Sequence, residues 1–364
     1  MYIHERYDWP NFTWDMDLIS VPLGEVRHLQ GALLGRMQAL GFPQQQESQL
    51  ETLTLEILKS NEIEGEMLNP EQVRSSLARR LGLEVSGLVP SDRNVDGVVD
   101  VLLDATRNYL APLSKDRFFD WHTSLFPSAR SGMYKIIAGA WRDDNSGPMQ
   151  VVSGGMGRER VHFQAPAAER LELEMQRFMD WANSSLVLDL VLKAAIAHLW
   201  FITIHPFDDG NGRIARALTD MMLARSDGSP LRFYSMSAQI RLERNRYYQV
   251  LESSQKGDLD ISEWLLWFLN CLRGALLATE TTLNKVLQKA SFWDKNRSVT
   301  LNERQRLMLN KLLDGFDGNL TASKWAKITK SSPDTALRDI QDLIQKGVLR
   351  KTDGGGRSTA YELI

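Results

Sequence analysis

His205-Pro206-Phe207-Asp208-Asp209-Gly210-Asn211-Gly212-Arg213-Ile214-Ala215-Arg216 joins two segments of opposite character. Before it, Val187 to Ile204 is almost wholly apolar, interrupted by Asp189, Lys193 and His198. Those interruptions are wrong for a membrane span and right for a helix buried in a soluble core. After it, Asn211–Ala224 has helical spacing. The link itself cannot be helix interior, because two glycines within five residues allow positive φ and close backbone approach.

The link has the composition of an anion site. A helix starting near Asn211 presents free N–H groups and the positive end of its dipole. Arg213 and Arg216, three apart, share one face, and two guanidinium forks suit a polyphosphate. Asp209 supplies a hard oxygen of the kind Mg²⁺ uses when phosphates fill most other positions. His205 has an ordinary pKa of about 6.5, suited to general-base work. Together they suggest nucleotide chemistry on a phosphorus atom. Each part also has a plainer explanation: a packed histidine, a turn, or an Asp209–Arg213 helical ion pair.

The surroundings are mostly helical. Apolar spacing predicts helices over 22–40, 49–63, 95–110, 115–125, 166–183, 188–204, 241–255 and 262–283, with another opening at Pro70. Met149–Ser153 and Arg160–Gln164 read as strands of a β-hairpin around Gly154-Gly155-Met156-Gly157. The end of the chain reads as a separate unit. Helices over 303–313, 321–329 and 332–346 precede strands at 347–351 and 358–363 around Gly354-Gly355-Gly356. Three helices and a hairpin is the layout of a winged helix.

The 364 residues carry a formal charge of −3, with 43% hydrophobic and 24% charged residues. That balance fits a globular chain of two or three domains and excludes disorder or binding by bulk charge. A lone cysteine, Cys271, excludes an intramolecular disulfide and a cysteine-clustered zinc site. No apolar leader follows Met1, so the expected compartment is the cytoplasm, with no membrane partner.

His205 to Arg216 resembles the Fic motif, His-Pro-Phe-x-(Asp/Glu)-Gly-Asn-Gly-Arg-x-x-Arg, at every specified position. The resemblance covers roughly residues 50–285. It implies a mainly α fold with a Fic-type helical core, a β-hairpin flap at 149–164 and a C-terminal winged helix. It also implies a protein adenylyltransferase that moves AMP from ATP to a Tyr, Ser or Thr hydroxyl of a target protein and of itself. In that family scheme His205 deprotonates the hydroxyl, and Asp209 holds Mg²⁺. Gly210, Asn211 and Gly212 wrap the phosphates, and Arg213 and Arg216 reach the β- and γ-phosphates. The flap would bind an extended segment of the target, and Tyr248 and Gln255 would lie on the adenine side.

Ser60-Asn61-Glu62-Ile63-Glu64-Gly65 resembles the family's inhibitory motif, (Ser/Thr)-x-x-x-Glu-(Gly/Asn), with Ser60, Glu64 and Gly65 at its defined positions. Glu64 would then pair with Arg216, and a guanidinium bound to a carboxylate cannot also clamp a phosphate. In some members the same glutamate helps remove AMP from a target. The implied division is 1–90 with an inhibitory helix at about 49–65, a catalytic core at 91–285, and the winged helix at 300–364. Over 300–364 there are 11 basic and 8 acidic residues. Asp334, Asp339 and Asp342 face Arg338 and Lys346 on the recognition-type helix, while Arg350, Lys351 and Arg357 lie on the wing. DNA binding, as a regulator, and a protein–protein or homodimer contact both stay open for this unit. The aromatics of 2–14 are expected to dock on the core.

Overall fold

The computed structural model describes residues 1–364 except 84–86, 146, 155–159, 186, 317 and 353–358, and leaves out the side chains of 42, 43, 281, 282, 285 and 286. It is mainly α. The chain divides into two compact units, 1–83 with 89–280, and 84–88 with 281–364.

The first unit opens with α1 (Met16–Gln38), α2 (Phe42–Ile63), α3 (Pro70–Leu81), α4 (Arg93–Arg107) and α5 (Lys115–Leu125). Side chains start most of them: Asp15, Asn69, Asp92 and Ser114 accept backbone N–H groups at the starts of α1, α3, α4 and α5. Each such cap contributes about 1 kcal/mol. The short pair β1 (Arg130–Ser131) and β2 (Tyr134–Lys135) follows, then the antiparallel hairpin β3 (Gln150–Ser153) and β4 (Arg160–Gln164). The predicted hairpin strands are present; Gly155, Met156 and Gly157 of its turn lie outside the described residues.

Next come α6 (Leu171–Asn183), α7 (Leu190–Ile204), α8 (Asn211–Asp227), α9 (Met236–Leu242), α10 (Arg244–Lys256) and α11 (Ser262–Lys295). Every residue of α7 from Val191 to Ile204 is buried. A helix apolar all round belongs at the centre of a core, and α7 packs against α6 and, most extensively, α8. Among the described residues no helix is long and apolar enough to cross a membrane.

Several boundaries depart from expectation: α2 begins at Phe42 rather than 49, α6 begins at Leu171 rather than 166, and α11 runs to Lys295 rather than 283. The first helix begins at Met16 rather than Pro22, because Asp15 caps it and Pro22 sits inside. The carbonyl left without a proline N–H belongs to Leu18, on the exposed side of the helix. The helix expected over 241–255 is two, α9 and α10, broken at Glu243 with φ −104° and ψ 22°. Finally, β1 and β2, two residues each, carry no alternation long enough to read.

The leader docks on the first unit's core as expected. Trp9 and Phe12 meet Trp200 edge-on at 6.1 and 5.8 Å, and the Trp9 indole donates to Glu174 at 2.9 Å. Tyr2 and His4 pack edge-on against Phe163 of β4.

The second unit holds α12 (Glu303–Leu313), α13 (Ala322–Thr329) and α14 (Pro333–Gln345), then β5 (Leu349–Lys351) paired antiparallel with β6 (Tyr361–Leu363). Its core gathers Met308, Leu309, Trp325, Ile340, Leu343 and Leu349. Leu320 bridges to Tyr361, so the segment between α12 and α13 joins the edge of the small sheet. The predicted Gly354–Gly356 turn and Arg357 lie outside the described residues.

Candidate active site at the α7–α8 loop

The loop is built around a buried ring. His205 ends α7 in the left-handed region, φ 52° and ψ 58°, with its N–H donating to Phe201. That turn throws Phe207 inward, where it is fully buried and stacks on the His122 ring at 4.1 Å. Asn211 then closes the loop. Its side-chain oxygen accepts from the Phe207 N–H at 3.0 Å, and its amide donates to the Phe207 carbonyl at 2.7 Å. The Asn211 side chain is thereby committed to the loop, leaving its backbone N–H for a ligand.

Two residues distant in sequence hold the loop from outside. Arg142 donates from Nε to the His205 carbonyl at 2.8 Å and from its backbone N–H to Pro206 at 2.9 Å. Its Nη2 reaches the Pro166 carbonyl at 2.6 Å, just past the hairpin. His122 contacts the Asp209 carbonyl through Nε2 at 3.1 Å and accepts at Nδ1 from the Gly139 N–H at 3.1 Å. Since Nδ1 accepts, the proton sits on Nε2. Burial lowers the His122 pKa to about 4, so the ring is neutral at pH 7.

His205 keeps partial solvent access, yet the atoms crowding its ring lower its pKa to about 4. Burial is the main cause, opposed by the Ile202 carbonyl and aided by the Arg142 charge. Nδ1 lies 3.2 Å from the Ile202 carbonyl. A carbonyl can only accept, so Nδ1 carries the hydrogen and Nε2 presents a lone pair. The geometry therefore supplies a neutral imidazole with one nitrogen free to take a proton.

Beyond His205 the backbone turns through Gly210, φ 82°, into α8. A Cβ there would stand 2.8 Å from the Phe126 ring, so glycine is required twice over. The first turn of α8 points the N–H groups of Asn211, Gly212 and Arg213 at one spot without intrahelical acceptors. Asp209 turns its carboxylate to the Gly210 N–H at 2.5 Å and to the Ser131 hydroxyl. Asp208 accepts from Ile137 at 2.9 Å.

Both arginines of the motif are buried and both are gripped by the end of α2. Arg216 donates from Nε to Ser60 Oγ at 2.8 Å, and from Nη2 to the Ser60 carbonyl at 2.9 Å and Glu64 Oε1 at 2.7 Å. Burial pushes the Arg216 pKa down and Glu64 more than reverses it, so the net direction is up. Arg213 lies over the Phe126 ring at 4.9 Å and donates to Glu66 at 2.7 Å. Gly65, φ 84°, makes the bend that lets both carboxylates reach inward, and the Glu66 N–H returns to the Asn61 carbonyl. Glu64 Oε1 lies so close over Gly212 that a Cβ there would collide with it. Glu64 thus stands above the helix N-terminus. Two guanidinium nitrogens, Arg213 Nε and Arg216 Nη1, are buried with no partner among the described residues. Unsatisfied cationic donors beside a helix N-terminus fit a polyanion.

Other sequence-selected residues lie further along α10. Tyr248 sits under the Arg244 guanidinium at 5.1 Å, and Arg244 also binds the Ile63 carbonyl at the end of α2. Gln255 is buried and donates to Thr203 of α7 at 3.2 Å, two residues before His205. Sequence reading missed Arg142, His122 and Ser131, which lie 63 to 87 residues away from their loop partners and carry no spacing signal. Glu66 carries no spacing signal in the sequence that separates it from a solvated helix-end charge.

Residues 112–223 match the model of the Fic/DOC family. Residues 2–83 match a second family described only as a domain of unknown function, DUF4172. Protein adenylyltransferase fic-1 of Caenorhabditis elegans is 28% identical over 214 residues, 57% of this chain and 38% of that protein. Protein adenylyltransferase Fic of Drosophila yakuba is 40% identical over 96 residues, 26% of this chain and 18% of that protein. The chain thus spans well under half the length of these relatives. A Fic family protein from Desulfovibrio desulfuricans shares the fold, with a TM-score of 0.55 at 20% identity over 98% of both chains.

Proposed function

We propose that this protein is a Fic-type protein adenylyltransferase that moves AMP from ATP to a Tyr, Ser or Thr hydroxyl of a target protein and of itself. The carrying observation is the buried Arg213–Arg216 pair at the α8 N-terminus, with unpartnered N–H groups aimed at the site. His205 Nε2 takes the acceptor's proton. The freed oxygen attacks the α-phosphorus as the bond to pyrophosphate breaks. Arg213, Arg216 and the α8 N–H groups hold the phosphate oxygens. Asp209 and the Ser131 hydroxyl form an oxygen pair that fits Mg²⁺ as partial ligands; that ion would neutralise phosphate charge.

In this scheme residues 49–65 inhibit and 91–285 form the catalytic core. Glu64 keeps Arg216 from the γ-phosphate, so bound ATP would lack near-attack geometry. The target segment would lie along the β3–β4 hairpin as an added strand. ATP consumption suits the cytoplasm. We read 300–364 as a winged helix. Arg304 holds Asp339 at 2.8 Å and Lys346 holds Asp342 at 2.5 Å, which neutralises two acids that would oppose a DNA backbone. A sequence-specific, salt-sensitive gel shift tests that second role.

The enzymatic role is tested by mass spectrometry of Glu64→Gly incubated with ATP, Mg²⁺ and host lysate. An AMP-bearing hydroxyl on a lysate protein or on this chain supports transfer. A lysate and chain free of AMP would count against it.

A further inference from the structure

The β3–β4 hairpin carries a second set of chemical groups, apart from His205. Ser153 Oγ lies 2.5 Å from His162 Nε2, and His162 Nδ1 lies 2.7 Å from Glu252 Oε2. Glu252 is a carboxylate, so Nδ1 donates to it and Nε2 is left to accept the Ser153 hydroxyl proton. Hydroxyl, imidazole and carboxylate stand in the order that activates a serine nucleophile.

Three features show this arrangement is built. The strand pairing slips between Val151 and Val152: Val152 faces Val161 while Val151 faces Phe163, leaving His162 as the extra residue. Such a bulge re-aims a side chain. Here Phe163 packs into the core while His162 reaches across to Ser153 and to α10. Glu252 is in turn held by Lys256 at 2.5 Å and Arg160 at 3.4 Å, both at Oε1, leaving Oε2 for the imidazole. Desolvation opposes the Glu252 charge, but the Lys256 and His162 hydrogen bonds outweigh it and hold the carboxyl at about 2. Ser153 is exposed, so an electrophile can reach it.

The set is also tethered near His205. Arg142 binds both the His205 carbonyl and the Pro166 carbonyl at the base of the hairpin. Glu252 lies one turn before Gln255, which holds Thr203.

We propose that Ser153 is a nucleophile, with His162 as its base and Glu252 as the residue that orients His162, and that it accepts AMP as a self-modification site. The identity of the electrophile rests on the transferase reading above; the priming of Ser153 does not. Ser153 Oγ forms a bond to the α-phosphorus as the bond to pyrophosphate breaks. Pyrophosphate leaves with the electron pair, and the serine proton passes to His162 Nε2 and on to water.

The test uses the full chain in two arms. In the first, a fluorophosphonate reporter is added and labelled peptides are mapped; the Oγ–P bond forms as fluoride leaves. Label on Ser153 is expected. Ser153→Ala should remove it, and His162→Gln should slow it about 100-fold, the scale of a lost general base. Glu252→Gln should slow it and shift its pH midpoint, with Glu252→Asp restoring part of the rate. Circular dichroism confirms that each variant folds. Absence of label at Ser153, or an unchanged rate in His162→Gln, overturns the proposal. In the second arm, Glu64→Gly is incubated with ATP and Mg²⁺. AMP on the Ser153 peptide supports the acceptor role, and AMP confined to other residues refutes it. If no AMP forms on the chain, or on any lysate protein when lysate is added, while Ser153 still takes the fluorophosphonate, the transferase reading fails and the primed serine stands.

Discussion

Replacing Glu64 by glycine should release the site. The contact to be lost is one charge-assisted hydrogen bond, Arg216 Nη2 to Glu64 Oε1 at 2.7 Å. Hydrogen bonds to charged groups contribute about 1.5–3 kcal/mol. Arg216 is almost wholly buried, but the Glu64 side chain is 32% exposed, and solvent screening places the pair near the lower bound. About 1.5 kcal/mol is roughly tenfold in an equilibrium. That is a floor, because the carboxylate also fills the space over Gly212 that a phosphate needs. The α2 helix should survive. Glu64 is its C-cap, just past Ile63, at φ −84° and ψ 0°, which glycine adopts freely, and Ser60 still holds Arg216. The assay is the initial rate of AMP incorporation from ATP and Mg²⁺ into the chain, for wild type, Glu64→Gln and Glu64→Gly. At least a tenfold rise is expected in Glu64→Gly. The glutamine variant should fall between, since it keeps the bulk and loses the charge. A Glu64→Gly rate no higher than wild type would refute the inhibitory assignment.

Other consequences are as definite. Glu66→Ala should raise ATP affinity only a few-fold by calorimetry, because Glu66, though it holds Arg213, is 47% exposed and its pair is screened. Asn211→Ala should cost about 2–4 kcal/mol in urea unfolding, since it strands the buried N–H and carbonyl of Phe207. His205 is depressed to about 4, so its base form is complete above about pH 5.5; transfer should be flat from pH 6 to 8 and fall as acid approaches pH 4. Stability follows the same sign. His122 and His205 at about 4 and His198 at about 3 bind fewer protons folded than unfolded, so stability is full above about pH 6.5 and is lost as pH falls toward 4. Urea midpoints at pH 7 and pH 5 check this.

The part of the site legible in the sequence is the part that is contiguous. His205 to Arg216 fall within twelve residues, so helix end, tight turn and helix start could be read from glycines and flanking apolar runs. The helices over 115–125 and 303–313 appear at those bounds because Ser114 and Asn302 cap them. What stayed hidden depends on tertiary contacts. Arg142 and His122 act on loop carbonyls far along the chain, and a carbonyl leaves no trace in a sequence. Glu66 became distinguishable from a solvated charge only once the Gly65 bend and buried Arg213 were placed. Pro22 misled because proline usually opens helices, whereas here Asp15 had already started one. His162 gave no signal because a bulge, not alternation, directs its side chain.

The central claim concerns which phosphorus atom is attacked and which group removes the acceptor's proton. Glu64→Gly should be incubated separately with ATP radiolabelled on the α- or the γ-phosphate, beside the double variant that adds His205→Ala. At every acceptor other than Ser153, label should enter protein from the α-position alone and vanish in the double variant. Label arriving from the γ-position, or persisting undiminished at those acceptors without His205, would contradict the account.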